Sequence, residues 1–190
     1  KKIQVSQIPF QTIGIILVTV LVYLTLFASF ETTFSVYTNR IFGFSEKDNS
    51  ILFTYIGFLA LIIQGVISRK TTTNFVPLIS AGIIIMAISF AILSQANHFS
   101  ILLIGLAVMA LGFGLVNCYL PALLTTYCNE ENRGSVMGIY ESISSLSRII
   151  GPLFVYAVFF SSIKMGYLWF SIILLILCPF FLVFYRQSQQ

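Results

Sequence analysis

Charge is what this chain has least of: only 8% of its 190 residues are Asp, Glu, Lys or Arg, against about 25% in an ordinary soluble domain. With 58% hydrophobic residues and a mean hydropathy of +0.98, the sequence excludes a dispersed globular domain and reads as an all-α polytopic membrane protein. Histidine occurs once, as His98, in a short polar connection with no further ligands beside it. The cysteines, Cys118, Cys128 and Cys178, fall in or beside apolar segments without CxxC spacing, which excludes a zinc site or a disulfide framework and leaves buried reduced thiols. No His-Glu zinc motif, Gly-x-Ser-x-Gly or pair of catalytic aspartates is present, so an enzyme is not expected, nor a cofactor or metal. The net charge of +4 comes from Lys and Arg scattered between apolar runs, with no contiguous basic face for nucleic acid.

What is present in abundance is apolar sequence. A helix needs about 20 mainly apolar residues to cross roughly 30 Å of hydrocarbon. Six stretches qualify and make one domain over residues 1–190: 12–38, 51–68, 75–95, 101–126, 134–160 and 166–185. Aromatic residues stand near several ends, as interfacial anchoring requires, among them Phe10, Tyr37, Phe44, Trp169 and Tyr185. An even number of crossings puts both termini on one side. Lys1, Lys2, Arg69, Lys70, Arg133 and Arg186 fall on that side, against Arg40, Lys47 and Lys164 on the other, so the positive-inside rule makes both termini cytoplasmic. No Met opens the chain, and Lys1 to Gln11 lacks the pattern of a cleavable signal peptide. The start reads as the middle of something: a fragment, a separate subunit, or the product of an interrupted or decayed gene.

The third and sixth segments carry no charge, are apolar nearly all round, and are expected to face lipid. The other four hold the polar groups Glu31, Gln64, Asn117, Glu141 and Arg148. Two polar segments followed by one apolar segment, used twice, is the pattern of a three-plus-three internal repeat.

An ionised side chain near the bilayer centre costs several kcal/mol or more, so each intramembrane charge is a candidate for function. Arg148 lies about 14 residues into its segment, roughly 21 Å of rise, where snorkelling to an interface is hard. It is expected either to line a cavity, attracting an anionic substrate or holding a carboxylate ionised, or to fix helix packing as an ion pair. Glu141 shares its face two turns earlier, about 10 Å away along the axis, too far for direct pairing. Glu31, followed by Thr32 and Thr33, is the leading proton carrier and Glu141 the second, because arginine stays charged throughout. Gln64, Asn117 and Tyr140 either line the cavity or bond across helices. Gly112, Gly114, Gly134, Gly138 and Gly151 suit close helix approach or bending, and Pro121 and Pro152 are expected to kink their helices.

The run FETTFSVYTNRIFGFSEKDNSILFTYIGFLALIIQG from Phe30 to Gly65, LGFGLVNCYLPALLT from Leu111 to Thr125, and RGSVMGIYESISSLSRIIGP from Arg133 to Pro152 resemble the C-terminal half, helices seven to twelve, of a major facilitator superfamily transporter. The most specific part is Arg133 with Gly134, then Gly138, then SxxxLxRxxGP from Ser142 to Pro152. Within that family the chain looks most like the drug and tetracycline proton antiporters. The resemblance implies half of a major facilitator fold, a small-molecule substrate with coupled protons, a separate N-terminal six-helix half as partner, and a bacterial inner membrane as location. The chain departs from the pattern between its second and third helices, where Ser68-Arg69-Lys70-Thr71-Thr72-Thr73 keeps only the basic part of an acidic and basic gating motif. A six-helix interaction subunit, or an inactive transporter fragment, is the alternative.

The Lys/Arg bias generates a topological prediction. Cysteines introduced at Gln4 and Gln189 should react with an impermeant thiol reagent only from the cytoplasm, and those at Asp48 and Asn97 only from outside. Labelling of position 48 from the cytoplasm would overturn this orientation.

Overall fold

A computed structural model describes residues 10–69, 74–158 and 163–187, and all regular structure among them is helical. The order is α1 (Phe10–Phe42), α2 (Glu46–Ser68), α3 (Phe75–Ser94), α4 (Phe99–Thr125), α5 (Glu130–Val158) and α6 (Ile163–Gln187). Among the described residues each expected segment overlaps one of these helices, and most helices run past the expected ends; residues 159 and 160 of the fifth segment lie outside the described residues. Apolar runs mark only the part of a helix that lies in hydrocarbon, whereas backbone hydrogen bonding continues into the interface. At α2 the extra turn has a local cause. Gly43 turns the chain in the left-handed region at φ 68°, its N–H donating to the Asn39 carbonyl at 2.9 Å. Ser45 then caps α2, receiving the Asp48 N–H on its hydroxyl while its own N–H donates to the Asp48 carboxylate at 2.9 Å.

Among the described residues, five of the helices are long and apolar enough to cross a membrane. The exception is α5, whose 29 residues span about 43 Å but whose apolar run is diluted by Glu141, Arg148 and a series of serines.

The packing has an internal symmetry. Contacts join α1 with α5 and α2 with α4, α3 with α4 and α1 with α6, while α3 meets α6 and α1 meets α4. Exchanging α1 with α4, α2 with α5 and α3 with α6 maps this set onto itself, as a three-plus-three inverted repeat requires. The expected lipid exposure of the third and sixth segments holds for one side of each helix only. The other side of α3 is buried against α4 and α6, through Ile79, Ile83, Met86 and Phe90. It is α2 that is most open, with Phe58 63% and Leu61 70% exposed. An all-apolar surface is equally compatible with lipid and with a neighbouring helix, so composition alone did not separate them.

Glycines set the closest approaches. A Cβ on Gly112 would stand 2.7 Å from the Met86 nitrogen and 2.9 Å from the Gly82 carbonyl oxygen, so α3 and α4 meet nearly backbone to backbone. Gly151 is equally tight against Ala28, Thr25 and Ser29 of α1, and Gly114 against Ile63 of α2. Gly134 and Gly138 differ: a Cβ there meets nothing within 4 Å, so their GxxxG spacing joins no pair of the described helices. One end of the core is aromatic. Phe30, Phe34 and Tyr37 of α1 cluster with Phe90 of α3 and with Tyr167 and Phe170 of α6. Tyr37 also donates to the Leu93 carbonyl at 2.6 Å, a second donor there beside the Ala96 N–H at 3.2 Å.

Gly112→Val should therefore lower the thermal stability of the purified chain, with a cost of about 1–3 kcal/mol for overpacking. Gly14→Val, where a Cβ meets nothing within 4 Å, should be neutral or slightly stabilising, because valine is the better helix former. Melting curves of both variants in detergent check the pair.

Candidate functional site

The α1, α2, α4 and α5 helices enclose a cavity of about 530 Å³. On α1 the lining residues Leu24, Phe27, Ala28 and Glu31 follow the i, i+3, i+4, i+7 spacing of one helical face. Glu141, Ser144 and Arg148 do the same on α5, and Phe113 and Asn117 stand one turn apart on α4. From α2 come Phe53, Ile56, Gly57 and Ala60, the last two leaving room rather than filling it.

Five of the six residues singled out in the sequence meet in this cavity: Glu31, Glu141, Arg148, Asn117 and Tyr140. Gln64 does not line it; its side chain lies against α4 beside Gly114. The two carboxylates and the guanidinium are exposed, whereas Tyr140 is buried and Asn117 half-buried, so the charges occupy the open side of the site and the phenols its floor. Arg148 and Glu31 face the same cavity from α5 and α1. Tyr23, fully buried, donates to the Asn117 side-chain oxygen at 3.3 Å. This pairing gives the floor a polar connection from α1 to α4.

The apolar wall includes Phe27 and Phe113, stacked with centroids 4.0 Å apart and planes 16° from parallel. Sequence reading missed Tyr23, Ser144 and this stacked pair. The signal was available in part: Ser144 falls three residues after Glu141 and four before Arg148, and Phe113 is one turn from Asn117. Tyr23 gave none, because two turns separate it from Glu31 and only folding brings it beside Asn117. Chemically, the site offers two groups that can exchange protons, one fixed positive charge, neutral hydrogen-bonding groups and aromatic faces. Among the described residues no three His, Cys, Asp or Glu side chains group as metal ligands.

Comparison with known proteins agrees with this architecture. The Major Facilitator Superfamily profile matches residues 15–190. The quinolone resistance protein NorA of Staphylococcus aureus is 30% identical over 137 residues, covering 70% of this chain and 34% of NorA. The mouse Major facilitator superfamily domain-containing protein 10 is 26% identical over 132 residues, covering 69% of this chain and 29% of that protein. A crystal structure of the human organic anion transporter MFSD10 (TETRAN) superposes with a TM-score of 0.83 at 23% identity, covering 89% of this chain and 40% of that one, which speaks for the fold. The chain thus spans about a third of the length of the curated relatives it matches. With the family profile extending over nearly the whole sequence and the six helices packed as a symmetric bundle around one charged cavity, the chain belongs to the Major Facilitator Superfamily.

Proposed function

We propose that this chain is the C-terminal half of a proton-coupled secondary active transporter, an antiporter that exports small, drug-like molecules. The observation that carries the reading is the gathering of Glu31, Glu141 and Arg148 from two helices into one cavity on the open side of the bundle. Three ionisable groups in a membrane domain are costly unless they face a watery path, and alternating access needs such a path at mid-membrane. Glu31 is the proton carrier in this reading and Glu141 its second candidate. Arg148 attracts an anionic group or holds a carboxylate ionised, and Asn117 and Tyr140 supply hydrogen bonds. Phe27 and Phe113 offer a flat aromatic surface to an apolar substrate. Quinolone resistance in NorA and organic anion transport in MFSD10 support an amphipathic organic substrate of this kind.

The partner implied is a six-helix N-terminal half, facing the open side of α2 and α5, with the lipid bilayer around both. A bacterial inner membrane with both termini cytoplasmic fits the Lys/Arg bias and the relatives from Bacillus subtilis and Staphylococcus aureus. A six-helix interaction subunit, or an inactive transporter fragment, is the second reading, favoured by the same wide exposure of α2.

Three predictions test this. Reconstituted alone in liposomes, the chain should insert without substrate flux; robust flux would show that it forms its own pathway. With an N-terminal half supplied, Glu31→Gln should abolish proton-driven transport and leave substrate exchange measurable, because the amide keeps shape and hydrogen bonding but cannot titrate. Arg148→Ala should weaken substrate binding and Arg148→Lys restore it only in part, since lysine lacks the planar five-donor fork. Uphill transport by Glu31→Gln at the parent rate would move the proton to Glu141 or to the other half.

A further inference from the structure

The α1 and α5 helices carry the charges of the cavity, and two buried serines join them. Ser29 of α1 donates across the interface to the Gly151 carbonyl at 2.8 Å, and Ser147 of α5 reaches back to the Leu21 carbonyl at 3.3 Å. Both residues are fully buried, and Gly151 brings the two backbones close enough for the first bond to form. Each hydroxyl has a second acceptor on its own helix: Thr25 at 2.8 Å for Ser29, and Ile143 at 2.8 Å for Ser147. A hydroxyl has one proton to donate, so each serine shares it between its own helix and the neighbour. Glu31 lies two residues beyond Ser29, and Arg148 directly follows Ser147.

We propose that Ser29 and Ser147 are positioning residues, a two-point hydroxyl clasp between α1 and α5 that sets the separation of Glu31 and Arg148 and opens without orphaning a donor. The claim rests on the transport reading only for its biological use. If the interface parts, each hydroxyl swings fully onto its own carbonyl, so release forfeits two interhelical bonds and leaves no buried donor unpaired. Among the described residues, other intrahelical serine bonds lack this double geometry. Ser142, for example, donates to the Gly138 carbonyl on its own helix at 2.8 Å and is exposed.

The experiment uses the purified chain in detergent, independent of any transport. Spin labels at the exposed positions Val36 and Leu153 report the distance between α1 and α5, and the infrared carboxyl band lost in Glu31→Gln reports the titration of Glu31. In the chain carrying Ser29→Ala with Ser147→Ala, a second, longer distance population should appear and the Glu31 band should titrate at a displaced midpoint. Ser142→Ala should leave both readouts at their parent values. Ser147→Ala alone, which removes the longer contact and adds no bulk, gives the same two readouts if the double variant does not yield folded protein. A single unchanged distance with a superimposable titration overturns the clasp. Displacement of the titration by Ser142→Ala to the same extent overturns it as well, since any lost serine would then suffice. Neither result bears on the transport reading, which the flux measurements above decide separately.

Discussion

The absence of water from the bilayer core is the constraint on which this structure depends. Every backbone polar group must be satisfied within its own segment, which forces helices, and every charge must find a watery or polar neighbour. The chain meets the second demand by concentration. Glu31, Glu141 and Arg148 all open into one cavity, and the remaining charges of the described residues lie at helix ends and connections. Among the described residues, no buried side-chain nitrogen or oxygen is left without a hydrogen-bond partner.

Helix association in lipid gains nothing from hiding apolar surface, so it must come from close packing and from hydrogen bonds between helices. Both are visible here. Gly82 and Gly112 let α3 and α4 meet at backbone distance, and Gly151 does so for α1 and α5. Ser89 adds a bond from α3 to the Gly105 carbonyl of α4 at 2.9 Å, and Thr33 joins the Tyr167 hydroxyl of α6 at 3.4 Å. These contacts hold the closed side of the bundle. The cavity side is built differently, from larger gaps, exposed charges and the stacked phenylalanines, so one half of the cross-section is close packing and the other is a cavity wall.

That division explains why the polar residues of α5 tolerate a membrane position. One face carries Ser147 onto α1, while Glu141, Ser144 and Arg148 line the cavity. Pro121 and Pro152, each inside its helix, remove the N–H that would have met the carbonyls of Asn117 and Arg148. The irregularities of backbone bonding thus fall one turn from cavity residues, where polar surroundings tolerate them best.

The sequence by itself determined the membrane class, the six helices, the repeat of two polar segments and one apolar, and the cavity candidates Glu31, Asn117, Tyr140, Glu141 and Arg148. These follow from local quantities: the length of an apolar run, the cost of a charge within it, and the 3.6-residue period that places Glu141 and Arg148 on one face. Only the tertiary structure decided that Gln64 stands outside the cavity, that Tyr23 reaches Asn117 across 94 residues of chain, and that α3 is half-buried while α2 lies open. Gly134 and Gly138 show the limit most plainly, since their spacing is that of a helix-packing motif yet no described helix packs there. Lipid tails and apolar side chains present nearly the same solvent to a helix. Hydrophobicity therefore fixes which segments enter the membrane, while the choice of neighbours rests on shape and on hydrogen bonds between residues far apart in the chain.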